Sequence, residues 1–133
     1  MTPILAFDIE TVPDVNGIRL LYDLPASLPD DEVVLFAQQK RRAQNGSDFM
    51  QHHLHQVVAI SCCMRWGQDK IHVGTIGEMH DSEEEMIAKF FDLIESHTPQ
   101  LVSWNGGGFD LPVLHYRALI HGIAAARYWD MGE

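Results

Sequence analysis

The sequence contains only two cysteines, Cys62 and Cys63, and they are adjacent. Neighbouring residues in a strand point to opposite faces, so we expect no structural disulfide, and a reducing compartment fits this composition. No apolar run approaches the ~20 residues needed to span a bilayer, and no basic segment leads into an apolar signal core at the N-terminus. The sequence therefore predicts a soluble, cytoplasmic protein with no membrane partner.

Basic residues are also scarce. Nine Lys and Arg residues stand against nineteen Asp and Glu residues, for a formal net charge of −10 at pH 7. This balance opposes loose, sequence-independent adhesion to nucleic acid, which depends on cationic contacts with phosphates. Any polyanionic substrate must therefore be held locally, by a metal ion and a few hydrogen-bond donors.

The first predicted strand, residues 4–11, carries the most unusual pattern in the chain. Its apolar start, Ile4 to Phe7, is typical of a strand buried on both faces. Asp8 and Glu10 follow, and side chains two apart in a strand share a face roughly 6–7 Å apart. Charges in a buried strand are normally paired or bound to metal. A hard divalent ion such as Mg²⁺ or Mn²⁺ suits these oxygen ligands.

The next elements follow from local signals. Pro13 and the Asn16-Gly17 pair predict a loop after the first strand. A helix is predicted from Pro29 to a stop at Asn45-Gly46, with charges at its two ends that match the helix dipole. Two apolar runs joined by a short turn then predict an antiparallel hairpin, with strands over residues 56–64 and 70–76.

A capping box at Ser82 and Glu85 predicts the clearest helix. Its apolar stripe is predicted to be core and consists of Met86, Ile87, Phe90, Phe91 and Ile94. Glu83, Glu84 and Asp92 lie off this stripe, so we predict that they are solvated. Pro99 ends the helix, and residues 100–104 are predicted as a central parallel strand reached by a helical crossover.

A glycine-rich segment follows that strand. Asn105 precedes three glycines, Gly106–Gly108, and then Phe109 and Asp110. The glycines permit a sharp turn and close approach of a ligand, whereas Asp110 before Leu111-Pro112 is typical of a helix N-cap. A capped helix after a glycine loop is therefore the structural alternative to a functional site. The spacing matches neither a Rossmann nor a P-loop fingerprint.

Two motifs, taken together, resemble those of a known family. Phe-Asp-Ile-Glu-Thr at residues 7–11, and Asn105 followed by Phe109-Asp110 and Leu111-Pro112, resemble the first two motifs of the DEDD-type 3′-5′ exonucleases. The likeness is strongest to the proofreading exonuclease domain of family B DNA polymerases and to stand-alone bacterial proteins predicted to share it. It covers residues 4 to about 121 of the chain.

The resemblance implies an α/β fold of the ribonuclease H-like type in a single domain over residues 1–133. Its mixed sheet would have three antiparallel strands first and a fourth strand parallel to the first, with flanking helices. It also implies hydrolysis of phosphodiester bonds at the 3′ end of nucleic acid, with single-stranded DNA a better candidate than RNA.

The same resemblance implies a site with two Mg²⁺ or Mn²⁺ ions. Asp8 would bridge both ions, Glu10 would bind one, and Asp110 would be the third carboxylate. For the substrate, the resemblance implies a backbone contact of Thr11 with the terminal nucleotide, and positions beside the scissile phosphate and terminal base for Asn105 and Phe109. Two cations roughly 3.5–4 Å apart stabilise the attacking and leaving oxygens. Paired acids should also raise at least one carboxylate pKa when metal is absent.

The family has a third motif, in which a fourth metal-binding aspartate follows a tyrosine by four positions or a histidine by five. Asp130 does not fit it, because Ala126 and Ala125 stand at those upstream positions. We therefore expect the domain to be incomplete at its C-terminus, without its last strand and helix, and to show weak metal binding and little nuclease activity in this form. The alternative is a complete but degenerate member.

Two other functions remain compatible with the sequence. The first is a catalytically impaired nucleic-acid-binding module on the same scaffold, which the missing acid would favour. The second is a different ribonuclease H-like hydrolase, such as a structure-selective endonuclease. Degradation of a 3′-labelled single strand would separate the exonuclease from both.

Overall fold

The computed structural model describes residues 2–124 of the chain, so Asp130 lies outside the described residues. These residues form two compact units: a larger one, residues 2–11 with 57–124, and a smaller one, Val12–Gln56. The predicted single domain over residues 1–133 stays a prediction, since a compact unit can be a domain or an insertion within one. Within residues 2–124, no helix is both long enough and apolar enough to cross a membrane.

A four-stranded mixed sheet organises the fold. Its strands are β1 (Ile4–Pro13), β2 (His55–Trp66), β3 (Lys70–Thr75) and β4 (Gln100–Val102), in the spatial order β3-β2-β1-β4. β2 and β3 are antiparallel, as predicted for the hairpin, with Met64 opposite His72. β4 runs parallel to β1, with Ile4 opposite Gln100. The predicted α/β class and the predicted mixed sheet, with its fourth strand parallel to the first, are confirmed.

The burial pattern of β1 corrects one expectation. Leu5, Phe7 and Ile9 are buried, whereas Asp8 and Glu10 are exposed on the alternate face. β1 is therefore not buried on both faces. Because side chains in a strand alternate, one face packs into the core and the other presents the acids to solvent. Because the two carboxylates are exposed, they need no partner to offset burial. Whether they form a site depends on which other side chains lie near this face.

Helix α3 (Glu83–His97) supplies the other half of the larger core. Ser82 and Glu85 form the predicted capping box, and all five residues of the predicted stripe are buried. Phe90 packs edge-on against Phe7 of β1, with ring centroids 5.1 Å apart. Helix α4 (Leu111–His121) adds Val113, Leu114 and Ala118 to the same core. The buried face of β1 is thus held by helices, which leaves its acidic face open.

The prediction for β4 was wrong in two respects. The strand is shorter than residues 100–104, since it ends at Val102. Within the described residues it is also the last strand of the sheet rather than a central one, and Val102 is 47% exposed. Its apolar composition suggested burial, but pairing with β1 alone leaves its other edge uncovered by any described strand. The chain therefore leaves the sheet at Ser103, next to the glycine-rich segment.

The smaller unit contains a helix that the sequence analysis missed. Helix α1 (Val15–Tyr22) occupies the predicted loop, and β1 continues to Pro13. Asp14 makes this possible, because its side chain accepts a hydrogen bond of 3.1 Å from the Gly17 N–H and caps the helix. Helix α2 (Asp30–Asn45) ends at Gly46 as predicted. The core of this unit consists of Ile18, Val33, Ala37, Met50 and Leu54.

Glu83 is buried, contrary to the prediction that it is solvated. Its side chain is only 7% exposed. Its carboxylate accepts hydrogen bonds from the Arg117 guanidinium, the shortest at 2.6 Å, and from the Val57 backbone N–H at 2.6 Å. His121 Nε2 lies 2.7 Å from Glu83 Oε1. A buried carboxylate with this many partners ties the start of α3 to α4 and β2.

Candidate functional site

The acidic face of β1 is the first part of the candidate site. Asp8 and Glu10 lie on this exposed face, and Thr11 follows them, partly buried. A shallow cavity of about 520 Å³ adjoins Asp8 and is also lined by Ala6, Ser61 and Val73. This volume falls in the range of about 300–1,000 Å³ that is usual for ligand pockets. The sequence analysis did not find the cavity, although the pairing of Val73 with Cys63 puts both on one sheet face.

Asp110 supplies the second part from the loop after β4. It occupies the first position before α4, but its side chain makes no capping hydrogen bond. The carboxylate is instead buried, at 5% exposure, and accepts a hydrogen bond of 2.9 Å from the Ser103 hydroxyl. The Asp110 side chain therefore does not cap α4, and the Ser103 hydroxyl holds it instead. Ser103 was missed in the sequence, where only its place at the end of a strand could have indicated it.

The electrostatics place Asp110 beside β1. Burial raises the pKa of the Asp110 carboxyl, and the negative charge of Asp8 raises it further. Hydrogen bonds from Ser103 and from the Ile9 backbone oppose this increase in pKa, because they favour the ionised form. The prediction of a raised carboxylate pKa is confirmed, but burial contributes more than the pairing of acids does. Asp8 and Asp110 thus lie within electrostatic range of each other.

The three predicted acids do not form one metal-holding group. Across residues 2–124, no group of three or more His, Cys, Asp or Glu side chains is arranged to hold a metal ion. The electrostatic interaction of Asp8 with Asp110 is the contact between predicted site acids that the structure supports. The roles of Asp8, Glu10 and Asp110 as metal ligands and catalytic residues stay predictions.

The glycine-rich segment forms one wide turn at Gly106–Asp110. The Asn105 carbonyl accepts hydrogen bonds from the N–H groups of Phe109, at 2.9 Å, and Gly108, at 3.2 Å. A Cβ on Gly106 would lie 2.9 Å from the Ser103 Cβ, whereas one on Gly107 would meet nothing within 4 Å. None of these three glycines has a positive φ. Glycine is needed at Gly106 for space, so that the loop can approach Ser103.

The predicted substrate contacts fall on or next to these two segments. Asn105 is exposed, and Phe109 is partly buried with its ring against the larger core. Thr11 ends the acidic segment of β1. Their contacts with nucleic acid stay predictions.

The residues present fit a hard divalent cation in part. Asp8 and Asp110 offer carboxylate oxygens, the ligand type that Mg²⁺ and Mn²⁺ prefer. Two like charges at close range are stabilised by a cation between them, and the charge of Asp8 contributes to the raised pKa of Asp110 after burial, the larger cause. The chemistry of these two side chains therefore fits one divalent cation.

Comparison with protein families gives one match over more than half of the chain. Residues 47–133 match the model of a family described as predicted 3′-5′ exonucleases related to the exonuclease domain of PolB. The matched range includes Asn105, Phe109 and Asp110, and it begins after Asp8 and Glu10.

Short segments of the chain are similar to curated DNA polymerases. DNA polymerase 1 of Sulfolobus acidocaldarius is 40% identical over 42 residues, which cover 32% of this chain and 5% of that protein. DNA polymerase 1 of Sulfurisphaera ohwakuensis is 46% identical over 44 residues, which cover 33% of this chain and 5% of that protein. The matched segment thus spans about one twentieth of these relatives.

A solved structure is similar over most of the chain. It is the family B DNA polymerase from the hyperthermophilic archaeon Pyrobaculum calidifontis, with a TM-score of 0.49 and 21% sequence identity. The alignment covers 94% of this chain and 12% of that one.

Proposed function

Because this chain belongs to the family of predicted 3′-5′ exonucleases related to the exonuclease domain of PolB, we propose that it hydrolyses phosphodiester bonds at the 3′ end of single-stranded DNA with Mg²⁺ or Mn²⁺. The observation that supports this most is the approach of Asp110 to β1, where its pKa responds to the charge of Asp8. Asp8, on the exposed face of β1, lines a cavity, and the buried Asp110 carboxyl lies within electrostatic range of it.

The proposed roles follow from the position of each group. Asp8 and Asp110 hold the cation, with Glu10 as a further ligand from the same strand face. When bound, the metal supplies a lowered pKa for its water and charge stabilisation at the phosphate. The Ser103 hydroxyl orients the Asp110 carboxylate through its 2.9 Å hydrogen bond.

Substrate positioning falls to the residues that flank the acids. We assign Thr11 a backbone contact with the terminal nucleotide and Asn105 a place beside the scissile phosphate. Phe109 stacks on the terminal base, an interaction worth about 1–3 kcal/mol for an aromatic side chain. The partial packing of Phe109 against the core supports this role, since it holds the ring in one orientation.

The test is a nuclease assay with single-stranded DNA labelled at its 5′ end. Because no metal-holding group of three acids is found among residues 2–124, we expect slow Mn²⁺-dependent shortening from the 3′ end, blocked by a 3′-terminal phosphorothioate linkage. Asp8→Asn should lower the rate at least about 100-fold, because loss of a metal clamp or catalytic base costs that much or more. Glu84→Gln is the matched control, since Glu84 is exposed on α3 away from the predicted site.

Each result has a defined meaning. Full activity in Asp8→Asn, or equal activity with EDTA, would contradict the metal-dependent mechanism. Degradation of RNA in preference to DNA would contradict the proposed substrate while leaving the chemistry intact.

A second candidate function is a nucleic-acid-binding module with little turnover. The absence of a three-acid group among residues 2–124 favours it. It predicts metal-dependent binding of the same oligonucleotide, weakened in Asp110→Asn, without shortening of the strand. Gel-shift and cleavage measurements on one sample separate the two functions.

A further inference from the structure

Trp104 is the most exposed large apolar residue of the larger unit. Its exposed fraction is 101%, which means that the side chain has no cover from the rest of the described chain. Exposed single apolar residues are common, but tryptophan is highly buried on average and a fully solvated indole is unusual. An indole ring in full contact with water is energetically unfavourable, and a ligand that covers the ring would remove this cost.

The setting of Trp104 leaves its ring accessible. It stands between Ser103, the hydrogen-bond donor to Asp110, and Asn105, the residue that organises the glycine turn. No described aromatic residue stacks on it. The next side chains in the loop are absent at three successive glycines, and the space at Gly107 is open. A flat ligand can therefore approach this loop without displacing a side chain.

Cationic side chains do not supply phosphate binding in this region. Residues 2–11 contain no Lys or Arg, and residues 100–124 contain only Arg117. Arg117 is buried and paired with Glu83, so it does not reach a ligand at the surface. With a net charge of −10 and no Lys or Arg at the surface of these two segments, affinity for a single strand there depends on a bound cation and on contacts other than ion pairs with Lys or Arg. Stacking of bases on aromatic side chains is the sequence-independent alternative.

We propose that Trp104 is a stacking platform for a base of single-stranded nucleic acid, next to the terminal nucleotide. This inference rests on the proposed function, because it assigns a substrate subsite beside the same acids. Trp104 precedes the wide turn and Phe109 lies within it, so we assign the two rings to different bases. The platform fixes the strand upstream of the scissile bond, without a role in the chemical step.

The test measures binding in Ca²⁺, which is used in place of Mg²⁺ to suppress hydrolysis. The probe is an oligothymidylate with an unmodified 3′ end and a fluorescent dye at its 5′ end. Binding is measured by fluorescence anisotropy. Trp104→Ala should raise the Kd roughly 5- to 100-fold, as expected for loss of one stacked base. Trp104→Phe should restore most of the affinity. Met79→Ala, at a residue 93% exposed in the same unit, is the matched control and should leave the Kd unchanged.

A second experiment identifies the base that the Trp104 side chain contacts. Abasic sites placed singly at each of the last four nucleotides should weaken binding by the wild-type protein, and at one internal position the penalty should vanish in Trp104→Ala. If every abasic penalty is the same in both proteins, the proposal is overturned even though binding occurs. If wild-type protein binds no oligonucleotide with any divalent ion, the proposed function fails and this inference with it. Loss of self-association without loss of DNA binding in Trp104→Ala would also overturn it.

Discussion

At the scale of single residues, Asp110 combines burial with a negative neighbour. Both effects raise its pKa, and burial is the larger one. The ionised carboxylate is therefore less favourable in the folded chain than in the unfolded chain, in spite of its hydrogen bond from Ser103. Ionised Asp110 therefore reduces the stability of the metal-free protein, and a cation bound to its carboxylate would reverse this effect.

This gives a prediction for Asp110→Asn in EDTA. A carboxyl with a raised folded-state pKa leaves stability intact below its unfolded pKa and reduces it as pH rises through the folded pKa. We expect the variant to melt at a higher temperature than wild type at pH 7, with the difference disappearing near pH 3. Thermal unfolding at both pH values measures it, and an equal difference at both would contradict it. Added Mn²⁺ should stabilise wild type more than the variant.

Glu83 leads to a second prediction at the same scale. Glu83→Ala leaves the Arg117 guanidinium buried without its carboxylate and removes the acceptor of the Val57 N–H. Removing one partner of a buried ion pair typically costs about 3–5 kcal/mol. Glu84→Ala, one position along the helix but exposed, should cost less than about 1 kcal/mol. Urea unfolding of both variants provides the comparison, and similar midpoints would show that the buried pair contributes little.

The two acids also show what could be predicted at this scale. Asp8 and Asp110 were found because short motifs surround them, and their approach agrees with that prediction. Glu83 was assigned to solvent because it lies off the apolar stripe of α3. Its partner, Arg117, comes 34 residues later in the chain, and no local pattern contains that information. Ser103 lies only seven residues before Asp110, and only its place at the end of a strand could have indicated it.

At the scale of elements, the wide turn before α4 depends on space rather than on unusual dihedral angles. A Cβ on Gly106 would meet Ser103 at 2.9 Å, and one on Gly107 would meet nothing. The turn can therefore accept a side chain at its middle glycine but not at its first. This difference between adjacent glycines permits a matched experiment.

We expect Gly106→Ala to destabilise the protein by about 1–3 kcal/mol, the usual cost of overpacking. It should also weaken Mn²⁺ binding, because the displaced Ser103 no longer orients Asp110. Gly107→Ala should be neutral or should stabilise by up to about 1 kcal/mol, since it restricts the unfolded chain. Urea unfolding and Mn²⁺ titration test both variants. Equal effects of the two substitutions would be inconsistent with a steric requirement at Gly106.

Helix ends that are marked by local sequence signals were predicted correctly. The capping box at Ser82 and the stop at Gly46 both appear as expected, because each depends on residues within one turn. Helix α1 was predicted as a loop because Pro13 and Asn16-Gly17 are typical of loops, and Asp14 was not identified as a cap. β4 was predicted as central because composition reports apolarity and not the number of neighbouring strands.

At the scale of the whole molecule, the class of fold could be predicted from the sequence. The separation of the chain into two compact units could not. The arrangement of the strands was implied by the resemblance of the two motifs, whereas the hairpin and the crossover helix were predicted from patterns in the sequence itself. The separate core of the smaller unit depends on contacts of Ile18 and Val33 with residues more distant in sequence, such as Leu54. Those contacts have no signature in a local pattern.

The parallel pairing of Ile4 with Gln100 has a consequence for synthesis. β1 leaves the ribosome before β4, and the parallel partner strand β4 and the loop that carries Asp110 emerge about a hundred residues later. At roughly 5–20 residues per second, Asp8 spends several seconds without the neighbour that defines the site. Such long-range closure is also slow in refolding. The newborn chain therefore exposes its acids well before it has any means of holding a cation tightly.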